Sequence, residues 1–119
     1  MPTGDGLIVF LGTQDLDATD RFYRQTLGLE LYRDQGTCRI YNVCGGGKIG
    51  FCAHIPMVKG ERSPIVTLVM DDVDGTYQHL IAAGVEVLHA PQENPRYHIY
   101  HFFTQDPNGY TLEVQRFLD

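Results

Sequence analysis

Leu7-Ile8-Val9-Phe10-Leu11-Gly12-Thr13-Gln14-Asp15-Leu16-Asp17 decides the fold, because Ile65-Val66-Thr67-Leu68-Val69-Met70-Asp71-Asp72-Val73-Asp74 repeats its order of signals about 57 residues later. Each copy has an apolar run of strand character, an Asp-apolar-Asp step and then a helical stretch. The first helix carries Phe22, Tyr23 and Leu27 before Gly28, and the second carries Tyr77, Leu80 and Ile81 before Gly84. Asp17 and Asp74 are placed to accept from the free amides of a first turn. Gly28 and Gly84 suit the left-handed position that ends a helix.

Outward from these helices both halves return to extended chain. Leu29-Glu30-Leu31 and Val85-Glu86-Val87 alternate apolar, acidic, apolar, as strands with one wet face do. Two hairpins follow, 39–43 with 48–53 and 99–104 with 110–117, turned by Gly45-Gly46-Gly47 and by Asp106-Pro107-Asn108-Gly109. The second is expected to bring Phe102 opposite Glu113 and Tyr100 opposite Gln115, with His98 rather than His101 on the face of Glu113; a slip of one residue would exchange the faces. The fold class is therefore α+β: two repeated βαβββ modules forming a curved mixed sheet of about eight strands around a cleft, with the helices outside. Module 1 spans about 5–54, a linker rich in proline and mixed charge spans 55–64, and module 2 spans about 65–119, all in one domain. Half a chain of this length leaves an apolar sheet face uncovered, so the two modules pack together.

Composition narrows the partners. The 119 residues carry nine Lys and Arg against fifteen Asp and Glu, a net charge of −6, which leaves no basic stripe for nucleic acid or an anionic membrane surface. The longest apolar run, Leu7–Leu11, is far short of a membrane span. Met1-Pro2-Thr3-Gly4-Asp5-Gly6 has no cationic flank of a secretory leader, so a cytoplasmic protein is expected. Cys38, Cys44 and Cys52 are odd in number and lack Cys-x-x-Cys spacing, so three reduced, packed thiols are expected.

Asp15-Leu16-Asp17, Phe22-Tyr23, Leu27-Gly28-Leu29 and Asp106-Pro107-Asn108-Gly109-Tyr110-Thr111-Leu112-Glu113 together resemble the vicinal oxygen chelate superfamily, which includes glyoxalase I, bleomycin-resistance proteins and extradiol dioxygenases. Its metal-dependent members place four ligands, mostly His and Glu, on the first and last strands of the two modules. Carried onto this chain through the internal repeat, those positions read Ile8, Gly50, Ile65 and Glu113. One carboxylate among two isoleucines and a glycine does not make a transition-metal site, so the resemblance implies a member with no metal, no cofactor and no glyoxalase I chemistry.

The expected function is binding of a small, partly apolar organic molecule in the cleft, as in the bleomycin-resistance branch, lined by Ile8, Phe10, Gly50, Cys52, His54, Ile65, Thr67, Tyr100, Phe102 and Glu113. The alternative is an enzyme of lyase, isomerase or dioxygenase type, with Glu113 and His98 as the catalytic candidates: Glu113 serves as general base or as ligand of a displaced metal shared with His54 and His98. His79 and His89 read as surface or loop residues. A homodimer is expected, since modules in this family pair between chains as well as within them; the cleft is built either within one chain or between two.

Overall fold

The computed structural model describes residues 3–4, 6–58 and 60–119; Met1, Pro2, Asp5 and Lys59 lie outside the described residues, and with them part of the reading of Met1–Gly6 and of the 55–64 linker. The chain divides into two compact units, Met1–Met57 and Val58–Asp119. Among the described residues no helix is long and apolar enough to cross a membrane.

The first unit runs β1 (Leu7–Gly12), α1 (Leu16–Asp20), β2 (Glu30–Asp34), β3 (Cys38–Asn42) and β4 (Gly47–Cys52). The sheet order is β1-β4-β3-β2, with β1 parallel to β4 and the other pairs antiparallel. The helix begins two residues earlier than expected. Asp15, not Asp17, accepts from the amide of Ala18 at 2.9 Å, because Asp17 already lies inside the first turn and pairs with Arg39 at 3.2 Å. After α1 the chain widens into a π-turn over Arg21–Thr26, in which the Leu27 amide donates to the Phe22 carbonyl five residues back, and Gly28 then takes the left-handed φ of 78°. This helical segment packs Tyr23 against Tyr41 and Phe51 at ring distances of 6.1 and 4.7 Å, and none of the three rings has exposed surface. Tyr41 and Phe51 therefore mark the helix face of the sheet, and Ile40, Gly50 and Cys52, by alternation, the other face.

The second unit repeats the plan with β5 (Ile65–Val69), α2 (Val73–Ala82), β6 (Gln92–Asn94), β7 (Ile99–Gln105) and β8 (Thr111–Phe117), ordered β5-β8-β7-β6 with β5 parallel to β8. The eight strands are thus hydrogen-bonded as two mixed sheets of four. Asp72 caps α2 by accepting from the Gly75 amide at 2.8 Å, again two residues before the expected Asp74, and Gly84 takes a φ of 80°. Val85-Glu86-Val87 does not form the outer strand. Val87 makes a single bridge to Thr104, whose hydroxyl donates to the Glu86 carbonyl at 2.6 Å, and the outer strand is β6, beginning after Pro91, which has no amide to offer a ladder.

The β7–β8 hairpin is also displaced by one residue from its expected register. Asp106 N donates to the Tyr110 carbonyl at 3.1 Å and the Asp106 carboxylate accepts from the amides of Asn108 and Tyr110, so the loop proper is the three residues 107–109, closed by Gly109 at a φ of 89°. An odd loop of this type shifts the pairing by one relative to a symmetric four-residue turn. Phe103 rather than Phe102 faces Glu113, and His101 rather than Tyr100 faces Gln115.

One polar network sits inside the first unit. Buried Asp20 accepts from the Tyr41 hydroxyl at 2.8 Å and from Arg24 at 2.7 Å. Burial alone would raise the carboxyl pKa, but the bonds from Arg24 and Tyr41 outweigh it and hold it below the ordinary 3.8, while burial and the same bond push the Tyr41 phenol well above its ordinary value. Asp20→Ala strands the buried Tyr41 hydroxyl and should cost about 1–3 kcal/mol near neutral pH. A depressed carboxyl contributes stability that is present above its unfolded value and lost as pH falls through its folded one, so the gap between parent and variant should narrow below pH 3.8. Urea midpoints measured on both sides of that pH check this; a gap independent of pH would contradict it.

Candidate functional site

In the second unit, alternation sorts the sheet into two faces. Phe102 has no exposed surface and meets Tyr77 of α2 edge to face at 5.5 Å, and the Tyr100 hydroxyl donates to Asp74 at 2.5 Å, which raises the Tyr100 pKa. Tyr100 and Phe102 therefore belong to the helix face and leave the expected lining. His98 sits in the turn before β7 with a φ of 54°, its carbonyl accepting from the Leu118 amide, outside the ladder that holds Glu113. The register displacement gives the place expected for His98 to His101.

The other face carries Ile65 and Thr67 of β5, Glu113 and Gln115 of β8, and His101 and Phe103 of β7. Parallel pairing sets Thr67 directly beside Glu113, and its hydroxyl donates to Oε1 at 2.7 Å. His101, one rung along on β7, reaches diagonally so that Nδ1 lies 2.8 Å from Oε2. Glu113 and His101 are 8% and 7% exposed, so both oxygens of a buried carboxylate are met by donors from their own sheet. A carboxylate can only accept here, so Nδ1 carries the proton and Nε2 is the basic nitrogen whenever the ring is neutral. The loop after α2 adds His89, whose ring lies 5.8 Å from His101 and 5.9 Å from Phe103. The lining expected from the sequence omits His101, Phe103 and His89. Counting Asp106–Tyr110 as the closing pair of a three-residue loop is the sequence signal that yields the first two.

In the first unit Ile8, Phe10, Gly50 and Cys52 share the face turned away from Tyr41 and Phe51, with Phe10 paired to Gly50. A Cβ on residue 50 would come within 2.6 Å of the Phe10 ring, so the aromatic ring lies where that side chain would begin. The equivalent rung of the second unit is Thr67 with Glu113. Cys52 is not a free thiol: it lies opposite Cys38 and is joined to it by a disulfide, which corrects the expectation of three reduced thiols. The spacing rules look for short loops between cysteines and miss partners brought together by a β ladder. His54, in the turn after β4, is exposed, with Nδ1 4.0 Å from Cys38 Sγ.

Of the four positions where the resemblance expects metal ligands, Ile8 and Ile65 offer no donor atom, Gly50 has no side chain, and Glu113 alone offers a carboxylate. This donor set does not fit a chelated transition metal. A separate groove of about 610 Å³ passes the start of α2 between Asp72, Asp74, Tyr100 and Arg116. Glu113 does not line it, and its acidic walls differ from the apolar lining expected for the ligand.

Comparison with known proteins agrees with this architecture. The chain is similar to the solved structures of TioX from Micromonospora sp. ML1 (20% identity, 95% of this chain and 98% of that one, TM-score 0.79) and of lactoylglutathione lyase from Agrobacterium tumefaciens (24%, 98% and 96%, TM-score 0.74). It is also similar to a glyoxalase/bleomycin resistance protein/dioxygenase from Nocardioides (19%, 100% and 87%, TM-score 0.76). No curated protein matches the sequence. The model of the Glyoxalase/Bleomycin resistance protein/Dioxygenase superfamily matches residues 7–114, nearly the whole chain, and the protein belongs to that family.

Proposed function

We propose that this chain binds a small, partly apolar organic molecule at the sheet face carrying Ile65, Thr67, Phe103 and Glu113, without the metal of its chelating relatives. The observation that carries the reading is the pairing of both Glu113 oxygens with Thr67 and His101. A buried carboxylate held this way needs no cation to offset its desolvation, and it keeps lone pairs for a ligand amine or hydroxyl. The exposed isoleucine at position 65 supplies apolar contact nearby. The first unit offers Ile8 and Phe10, both partly exposed, as a second apolar surface of the same kind.

His101 favours a second reading. With Nδ1 bound to Glu113, its Nε2 is oriented as a base, the arrangement by which a carboxylate fixes an imidazole for proton transfer. The chain would then be an enzyme acting on a proton next to a carbonyl, with Glu113 as the positioning carboxylate rather than the base itself. We also propose a cytoplasmic location and a homodimer, the dimer alone being supported by the apolar residues Leu7 and Val9 on the edge strand β1 and Ile65 and Val69 on the edge strand β5, all more than two-fifths exposed.

Native mass spectrometry of protein purified without reductant is expected to show an organic adduct and no stoichiometric metal. Once the adduct is identified, Glu113→Gln should weaken its binding by about 1.5–3 kcal/mol, roughly 10–150-fold, through loss of a charge-assisted bond. Unchanged affinity with a lowered melting temperature would assign Glu113 to structure alone, and one metal per chain that disappears in Glu113→Ala would overturn the metal-free reading. Sedimentation should give a dimer at micromolar concentration; a monomer throughout would remove the pairing.

A further inference from the structure

The disulfide in the first unit has a neighbour that the proposed binding function does not use. Cys38 and Cys52 stand directly opposite one another on β3 and β4 with Cα atoms 4.1 Å apart. The Ala53 amide donates to the Thr37 carbonyl, so the next rung is the hydrogen-bonded one and the cysteine rung is the close, non-hydrogen-bonded kind whose side chains lie nearest each other. Two residues after Cys52 the chain turns, bringing the exposed His54 ring to the same place. The Sγ atoms of Cys38 and Cys52 and a ring nitrogen of His54 all lie within 4.8 Å of one another, the one group of three potential ligands among the described residues.

We propose that Cys38, Cys52 and His54 form a redox-gated site for one thiophilic d10 cation of the Zn2+ class, filled when the cysteines are thiolates and emptied when they join. Tetrahedral zinc, with bonds of about 2.3 Å to sulfur and 2.0–2.1 Å to nitrogen, sets two sulfurs about 3.8 Å apart and sulfur and nitrogen about 3.6 Å apart. His54 Nδ1 is already 4.0 Å from Cys38 Sγ, and breaking the disulfide lets the sulfurs separate to that spacing. Two thiolates and one imidazole suit a soft or borderline cation and not calcium or magnesium. The cysteines are buried and His54 is exposed, so the cation enters from the His54 side and keeps a fourth position for water or an added ligand. Three protein ligands with one open position is the arrangement of reactive rather than purely structural zinc sites.

The gate is a thiol–disulfide exchange with a low-molecular-weight disulfide. The Cys38 and Cys52 thiolates give up two electrons and form their S–S bond; the S–S bond of the small disulfide takes the electrons and breaks. Two protons from solvent complete the two small thiols, and Zn2+ leaves to water. In a reducing compartment the dithiol form prevails and the site is available to metal.

The test uses the whole chain, reduced with a phosphine that is then removed. Titrated with Zn2+ against a chromophoric chelator, the reduced protein should take up one zinc, and Co2+ in its place should show thiolate charge-transfer absorption. Treatment with a small disulfide should release the zinc as the chain loses two hydrogens in mass. Loss of an outer partner alone weakens zinc binding 10–100-fold, so losing the ligand in His54→Ala should cost about 100-fold or more. Cys38→Ser should abolish the charge-transfer band, and Cys44→Ser should leave the uptake unchanged. The proposal is overturned if the reduced parent takes up no zinc, if His54→Ala binds as the parent does, if Cys44→Ser loses the metal, or if oxidation leaves the zinc in place. Should Cys38→Ser fail to fold, the exposed His54→Ala variant decides.

Discussion

Parallel pairing of the first strand of each module with its last is the constraint on which the rest depends. It cannot be made by a tight turn, so a crossover must carry the chain from one strand to the other, and in each unit that crossover includes the helix and the two remaining strands of the sheet. The pairing then aligns two rungs that are equivalent under the repeat: Phe10 with Gly50 in the first unit, Thr67 with Glu113 in the second. In one the rung is closed by an aromatic ring lying where a side chain would be. In the other it is a hydroxyl donating to a carboxylate. The same backbone device thus delivers an apolar surface in one module and a polar anchor in the other.

Much of this was legible in the sequence because the signals were redundant. The repeat, the two closing glycines Gly28 and Gly84, the glycine turn after β3 and the Asp-Pro-Asn-Gly turn each pointed to the same strand–helix–hairpin order, and consistency across levels is what makes a fold readable. The helix caps were two residues out because Asp15 and Asp17, like Asp72 and Asp74, are equally good cap residues by type; only backbone geometry tells them apart. Val85-Glu86-Val87 had strand alternation without a partner to pair with beyond Thr104. Alternation describes a surface, and a ladder needs a second strand in register.

The site was harder to read for a reason of arithmetic. Strand side chains have a period of two, so a single residue of error in one loop moves every residue of the hairpin to the opposite face. Asp106 accepts from two amides of its own loop and shortens that loop to three residues, and this alone removes Tyr100 and Phe102 from the face of Glu113 and brings His101 to it. The disulfide escaped for a related reason: Cys38 and Cys52 are neighbours across a ladder, and no spacing rule along the chain sees that.

Set on the repeat, the disulfide of the first unit and His101, the imidazole partner of Glu113, fall on matching rungs. Ile40 with Gly50 corresponds to Phe103 with Glu113, so the rung beyond it, Cys38 with Cys52, corresponds to His101 with Gln115. Both rungs lie on the face turned away from the helix, and both are buried. An unpaired charge at such a depth costs several kcal/mol, so a reactive group persists there only with a partner. In the second unit the partner comes from within the sheet, His101 and Thr67 holding the Glu113 carboxylate. In the first unit the cysteines satisfy each other when joined. As thiolates they would carry two buried negative charges with one imidazole at hand, and a cation offsets that charge far better than the imidazole alone. The physical demand for charge compensation is therefore met around Glu113 by hydrogen bonds from its own sheet; at the cysteine pair it does not arise while the disulfide is closed, and once that bond is reduced to thiolates it is met by metal.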